Sequence, residues 1–194
     1  MSFTTMKDLG DYITHEQAEY VINKIPVIHH KAFFACLYYT GARISEVLKL
    51  YVRDINFNEE VILMPTLKKR TIDTEEPPKR MIPMCDKLIT ILREYISYLE
   101  LKSDNKLFSF TRATGYNIVK KWCGVYNIKT QSGKEVHPHT LRHSFAIRIA
   151  ETSQTFGDIR RLQTILGHSN INTTMIYVNF SPHELKKAIN QAFQ

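Results

Sequence analysis

His137-Pro138-His139-Thr140-Leu141-Arg142-His143-Ser144-Phe145-Ala146 is the stretch that decides how this chain folds and where its chemistry gathers. Pro138 suits the start of a helix, where its missing N–H costs nothing. The pattern predicts a helix from near His139 to about Glu151. His139 and Arg142 are three apart, so a helix places them on one face. Read alone, they are a helix-capping histidine and a solvated arginine. His139 and His143 are four apart and have metal-ligand spacing, but no carboxylate or thiol nearby completes a zinc site.

Upstream, the capping-box pair Thr14 and Gln17 opens a helix through about Asn23, with Ala18, Val21 and Ile22 apolar. His29 to Tyr39 is apolar nearly throughout and reads as a buried helix, broken by Thr40-Gly41. Ile44 to Leu50 reads as a further helix with Ile44, Val47, Leu48 and Tyr51 on one face. Val61–Met64 and Arg80–Met84 read as two strands of a long hairpin with a polar tip at 71–78. Asp86 to Leu101 carries the stripe Leu88, Ile91, Leu92, Tyr95, Ile96 and Leu99 of an amphipathic helix. Tyr116 to Tyr126 is another helix. Downstream, helices are expected from Asp158 to Leu166, over Asn170–Val178, and from Pro182 to Phe193 after a Ser181 cap. The fold class is α+β: mainly α with a small antiparallel β-sheet.

The chain has 194 residues, 43% of them hydrophobic, which suits one domain with short appendages. It contains no apolar run of about 18 residues and no signal-peptide core, so no membrane partner is expected. Cys36, Cys85 and Cys123 are widely spaced and read as reduced structural thiols of a cytosolic protein. A net charge of +7 and a pI of about 9.3 favour a polyanionic partner. The basic residues cluster as Lys68-Lys69-Arg70, Lys79-Arg80, Lys120-Lys121, Arg160-Arg161 and Lys186-Lys187. Each pair alone reads as a solvated face, whereas several in one domain point to nucleic acid.

Two more stretches carry chemistry. Thr40-Gly41-Ala42-Arg43-Ile44-Ser45-Glu46 puts an arginine beside a helix break, where it can point out of the core. Leu166-Gly167-His168 precedes Tyr177 by a spacing of nine residues from histidine to tyrosine. Arginines neutralise phosphate charge, histidines donate hydrogen bonds or move protons, and a tyrosine oxygen can be a nucleophile.

Together these three stretches resemble the signature boxes of the tyrosine recombinase, or phage integrase, family, and the match runs from about residue 13 to 180. The resemblance implies a tyrosine recombinase catalytic-domain fold over 13–180, after a lead-in at 1–12. It implies a helix at 181–194 that packs on its own domain or docks on a neighbouring protomer. It also implies a site-specific recombinase that cleaves and rejoins DNA through a 3′-phosphotyrosyl bond, without metal, ATP or another cofactor.

In that reading Tyr177 is the nucleophile and Arg43 and Arg142 clamp the phosphate. His139 accepts a proton, His168 donates a hydrogen bond, and Glu46 and His143 support. A hairpin lysine protonates the leaving oxygen: Lys68 by distance from the preceding strand, with Lys69 the alternative. No glycine follows this lysine, and the hairpin tip is longer, more acidic and richer in proline than the common pattern. The expected partner is double-stranded DNA, bound by a homotetramer on paired sites, with a monomer or weak oligomer in its absence. The expected location is cytoplasmic and nucleoid-associated.

Family members usually carry an N-terminal DNA-gripping domain of about a hundred residues, so the sequence reads as a catalytic fragment or a naturally short member. Without that clamp, DNA affinity is expected to be weak and steeply salt-dependent. Alternatives are a catalytically silent DNA-binding regulator of this fold and a type IB topoisomerase-like nicking and rejoining activity.

Overall fold

The computed structural model describes residues 11–66, 78–152 and 164–166. The first helix, α1 (His15–Lys24), starts with the expected capping box. Thr14 Oγ1 accepts from the Gln17 N–H at 3.2 Å, and Gln17 Oε1 accepts from the Thr14 N–H at 2.9 Å. The lead-in is not loose over its last residues. Asp11 accepts from Lys134 at 2.9 Å, the Tyr12 carbonyl accepts from the Gln131 N–H at 3.0 Å, and the Ile13 N–H donates to Ser144 Oγ at 2.9 Å.

The second helix, α2 (Ile28–Thr40), is the apolar stretch of the sequence, and it runs through the middle of the molecule. Ala32 to Leu37 are wholly buried. A helix apolar on every side is stable only when other elements cover every side. Here α1 and the helices described below do so. Helix α2 ends at Gly41, whose φ of +59° is the left-handed conformation that closes helices. A Cβ added there would lie 2.3 Å from Phe145 Cδ1, so a later helix packs directly on the turn.

After the turn, α3 (Ile44–Val47) is only four residues long and stops well before the expected Leu50. The backbone beyond it pairs elsewhere. Leu50 O accepts from the Leu107 N–H at 2.8 Å, Tyr51 bridges to Lys106, and the Val52 N–H donates to Asn105 O at 3.0 Å. These long-range bonds replace the local ones that a longer helix would need. A single 3-10 turn (Val52–Asp54) then leads into the sheet.

The sheet has three antiparallel strands rather than a bare hairpin: β1 (Ile55–Asn56), β2 (Val61–Pro65) and β3 (Lys79–Pro83), in that order. Ile62 pairs with Ile82 and Met64 with Arg80. Ile62, Met64 and Ile82 are buried on the inner face, while Met81 is 65% exposed. Helix α4 (Asp86–Tyr98) buries Leu88, Ile91, Leu92 and Tyr95 against the core, as its stripe predicts, and Leu99 beyond its end is exposed.

Helix α5 (Arg112–Val125) begins four residues before the expected Tyr116, because Thr111 Oγ1 accepts from the Thr114 N–H at 3.1 Å and caps it. Helix α6 (Pro138–Thr152) begins at the proline. Residues 164–166 are helical, and Leu166 packs on Phe145, Ala146 and Ile147 of α6. The expected helices at 170–178 and 182–193, the rest of 158–166 and the hairpin tip lie outside the described residues.

The three cysteines are unpaired. Cys36 and Cys123 are buried, and burial pushes both thiols up to about 12. Cys85 is exposed at the start of α4 and is not part of the core. Among the described residues, no helix is long and apolar enough to cross a membrane.

Candidate active site

The site is organised around the Gly41 turn. Arg43 follows that turn by two residues and sits at the N-cap of α3, where its backbone is extended. Its N–H donates to Glu46 Oε2 at 2.9 Å, and its Nη1 donates to Glu46 Oε1 at 3.1 Å. Glu46 thus holds Arg43 by both main chain and side chain. The Arg43 side chain remains 22% exposed, whereas that of Glu46 is wholly buried.

Arg142 approaches the same turn from α6. Its Nη1 donates to Gly41 O at 2.7 Å, and its Nη2 donates to Leu166 O at 2.8 Å. Its exposure is 7%, so it is not the solvated arginine that its spacing alone suggests. Charged donors on carbonyls make strong hydrogen bonds, and these two anchor α6 to the turn and to the residues just before Gly167.

His139 lies one turn before Arg142 on α6. Burial holds its pKa below the ordinary value of 6.5, and so do His137, Arg142, Arg112 and Arg43. The ring is therefore neutral at pH 7 and has a nitrogen that can accept a proton. The charges of Arg142, Arg112 and Arg43 thus all reach one imidazole. His143 is likewise held low, by burial first and then by His139 and Arg142. The helix start is capped from His137, whose N–H donates to Thr140 Oγ1 at 3.2 Å, rather than from His139. The His137 ring stacks on Tyr116 at 6.2 Å. Among the described residues, no group of three or more His, Cys, Asp or Glu side chains is arranged to share a metal ion.

Sequence reading missed Arg80, which it placed with Lys79 on a solvated face. Arg80 Nη2 donates to Glu46 Oε2 at 2.9 Å and Nη1 to Glu46 Oε1 at 3.2 Å. Arg80 Nε donates to Ile165 O at 2.9 Å, and Nη1 also reaches Thr66 Oγ1 at 3.3 Å. Lys79 is committed too, to the buried Asp54 at 3.0 Å. The signal was available in strand parity: Arg80 shares a face with Ile82, two residues on, and that face is the core. Burial pushes the Glu46 carboxyl up, but the Arg80 hydrogen bonds, the Arg43 N–H and both charges outweigh it and hold the group below the ordinary carboxylate value.

Arg43, His139, Arg142, Glu46 and His143 are thus gathered in one cluster. Lys68, Lys69, His168 and Tyr177 lie outside the described residues.

Known proteins resemble this chain in sequence and in fold. Tyrosine recombinase XerA of Pyrococcus furiosus is 31% identical over 196 residues, which cover 96% of this chain and 63% of that protein. The crystal structure of XerA recombinase superposes with a TM-score of 0.71 at 26% identity, covering 94% of this chain and 65% of that one. A XerH site-specific recombinase, bound to its difH substrate in a pre-cleavage complex, has the same fold: TM-score 0.73, 24% identity, 95% of this chain and 55% of that one. The chain spans between about half and two thirds of the length of the curated relatives it matches. The sequence pattern of the phage integrase family covers residues 11–184, from the capped start of α1 past Tyr177, and the chain belongs to that family.

Proposed function

We propose that the chain is the catalytic part of a site-specific DNA recombinase that breaks and rejoins double-stranded DNA through a 3′-phosphotyrosyl intermediate. One observation carries this reading: Arg142 anchors on the Gly41 turn that Arg43 follows, and both arginines act on His139, in a chain that matches the phage integrase family past Tyr177. Two guanidiniums beside a neutral imidazole suit a phosphodiester whose negative charge grows during attack. Preorganised donors of this kind are each worth about 10²–10³ in rate.

Tyr177 attacks the phosphorus. The Oη–P bond forms and the bond to the 5′-oxygen breaks. A phenol with a pKa of about 10 is protonated at neutral pH, so its proton passes to His139. Lys68, or Lys69 in its place, gives a proton to the leaving 5′-oxygen. Arg43 and Arg142 hold the nonbridging oxygens, His168 donates to one of them, and Glu46 and His143 support the set. The phosphotyrosyl bond keeps the energy of the broken bond, so a 5′-hydroxyl can reverse the step without ATP. The arginines supply the positive charge that a metal would bring.

Residues 13–180 are the catalytic domain. The helix at 181–194 is read as docking on a neighbouring protomer of a homotetramer on paired sites, the protein being a monomer or weak oligomer without DNA. The reading is tested with a nicked suicide duplex, from which religation is impossible. A covalent protein–DNA adduct is expected, and none with Tyr177→Phe. Binding of duplexes with no adduct on any of them overturns the proposal.

A further inference from the structure

We infer that Arg80 is a positioning residue for the proposed cleavage reaction, acting on Arg43 through Glu46. The inference rests on the reading above and adds a residue to it.

Glu46 is wholly buried, and a buried carboxylate is stable only when paired and hydrogen-bonded. The charged groups acting on it are Arg43 from α3 and Arg80 from β3. From α6 the cluster also includes His139, on which Arg43 acts, and Arg142. Arg43 must stay partly exposed to meet a phosphate, so its hold on Glu46 is one hydrogen bond from each of two atoms. Arg80 grips the other side of the same carboxylate with two nitrogens, as a planar fork does.

Two further acceptors fix that fork in place. Ile165 O takes Nε at 2.9 Å and Thr66 Oγ1 takes Nη1 at 3.3 Å. These tie it to the end of β2 and to the helical residues 164–166. Ile165 O and Leu166 O, the two carbonyls just before Gly167, are thereby bound by Arg80 and Arg142 respectively. The network closes on itself. Arg142 links Gly41 to Leu166, Arg80 links Ile165 to Glu46, and Glu46 links back to Arg43 beside Gly41. Each guanidinium is held by groups that the other helps to place. Arg80 therefore sets both the charge and the orientation of the carboxylate that aims Arg43.

The test is single-turnover cleavage of the nicked suicide duplex at saturating protein, from acid to alkaline pH. It compares wild type, Arg80→Met, Arg80→Lys, Glu46→Gln and the Arg80→Met/Glu46→Gln double variant. Arg80→Met leaves Glu46 buried without its strongest partner, so Glu46 takes up a proton at higher pH and releases Arg43. The rate at neutral pH is expected to fall about tenfold to a hundredfold, as misplacement of a reacting group by about 1 Å does. The deficit deepens as pH falls, and DNA affinity stays near that of wild type. Adding Glu46→Gln removes the titrating carboxyl, so the extra pH dependence disappears.

Arg80→Lys keeps the charge but loses the fork. It is expected to slow cleavage by about tenfold at every pH without the added acid limb. If Arg80→Met does not fold, Arg80→Lys alone decides. A folded Arg80→Lys that cleaves like wild type overturns the inference. So does an Arg80→Met deficit that is the same at every pH and matched by lost DNA binding. Failure of the wild type to form any adduct refutes the recombinase reading instead, so the two failures are distinguishable.

Discussion

Arg43 and Arg142 serve one site from opposite kinds of surroundings. Arg142 comes from a fifteen-residue helix, is buried, and rests on two backbone carbonyls. Arg43 stands at the N-cap of a four-residue helix, stays partly exposed, and rests on a carboxylate that Arg80 also holds. A carbonyl accepts a hydrogen bond without neutralising charge, whereas a carboxylate binds charge and can itself titrate. The α6 side of the site is therefore fixed by packing and backbone bonding. The α3 side is fixed by electrostatics. Two arginines at one turn are thus held by different kinds of support, backbone carbonyls for Arg142 and a shared carboxylate for Arg43.

The sharpest way to break the comparison is to delete each arginine. Arg142→Ala and Arg43→Ala should each slow adduct formation by about 10²–10³. Their stabilities should part. Arg142→Ala strands two buried carbonyls and should lose about 2–3 kcal/mol of unfolding free energy in urea titrations. Arg43→Ala leaves Glu46 paired with Arg80 and should lose under about 1 kcal/mol. Equal losses would show that the α3 side is as structural as the α6 side.

The next effect is at the turn. Gly41→Ala combines a left-handed backbone with a Cβ 2.3 Å from the Phe145 ring. It should cost about 1–3 kcal/mol in the same titrations and weaken cleavage through Arg142, whose anchor is the Gly41 carbonyl. An unchanged urea midpoint would mean that the turn and α6 yield more easily than their contact implies.

The smallest effect is in pH dependence. Glu46 titrates below its ordinary value of 4.5 in the folded chain, so it adds stability above pH 4.5. That stability is lost as pH falls through the folded value. Glu46→Gln should be less stable than wild type at neutral pH, with the gap narrowing as pH drops below 4.5. After burial, Arg142 helps to hold the His139 and His143 pKa values below 6.5, so the Arg142→Ala gap should narrow at higher pH, as pH falls through the ordinary histidine value. Thermal denaturation across acid pH separates the two behaviours.

Much of this was legible in the chain itself. The capping box at Thr14, the buried α2, the Thr40-Gly41 break and the α4 stripe from Leu88 to Tyr95 formed as read, because each is set by bonds or periodicity within a few helical turns. The short β1, the early end of α3 and the burial of Arg80 were misread for the opposite reason. Each depends on a partner far along the chain: Ile62 for Ile55, Leu107 for Leu50, Glu46 for Arg80.

By itself the sequence determined the family and the order of its arginine, histidine and tyrosine stretches, because residue type and local spacing are written in the chain. Only the tertiary structure decided how those residues are held. Whether an arginine meets a carbonyl, a carboxylate or water depends on which distant backbone is folded against it. Arg142, which spacing alone left solvated, became an anchor in that way, and Arg80, one of a surface-like pair, became the second hand on Glu46.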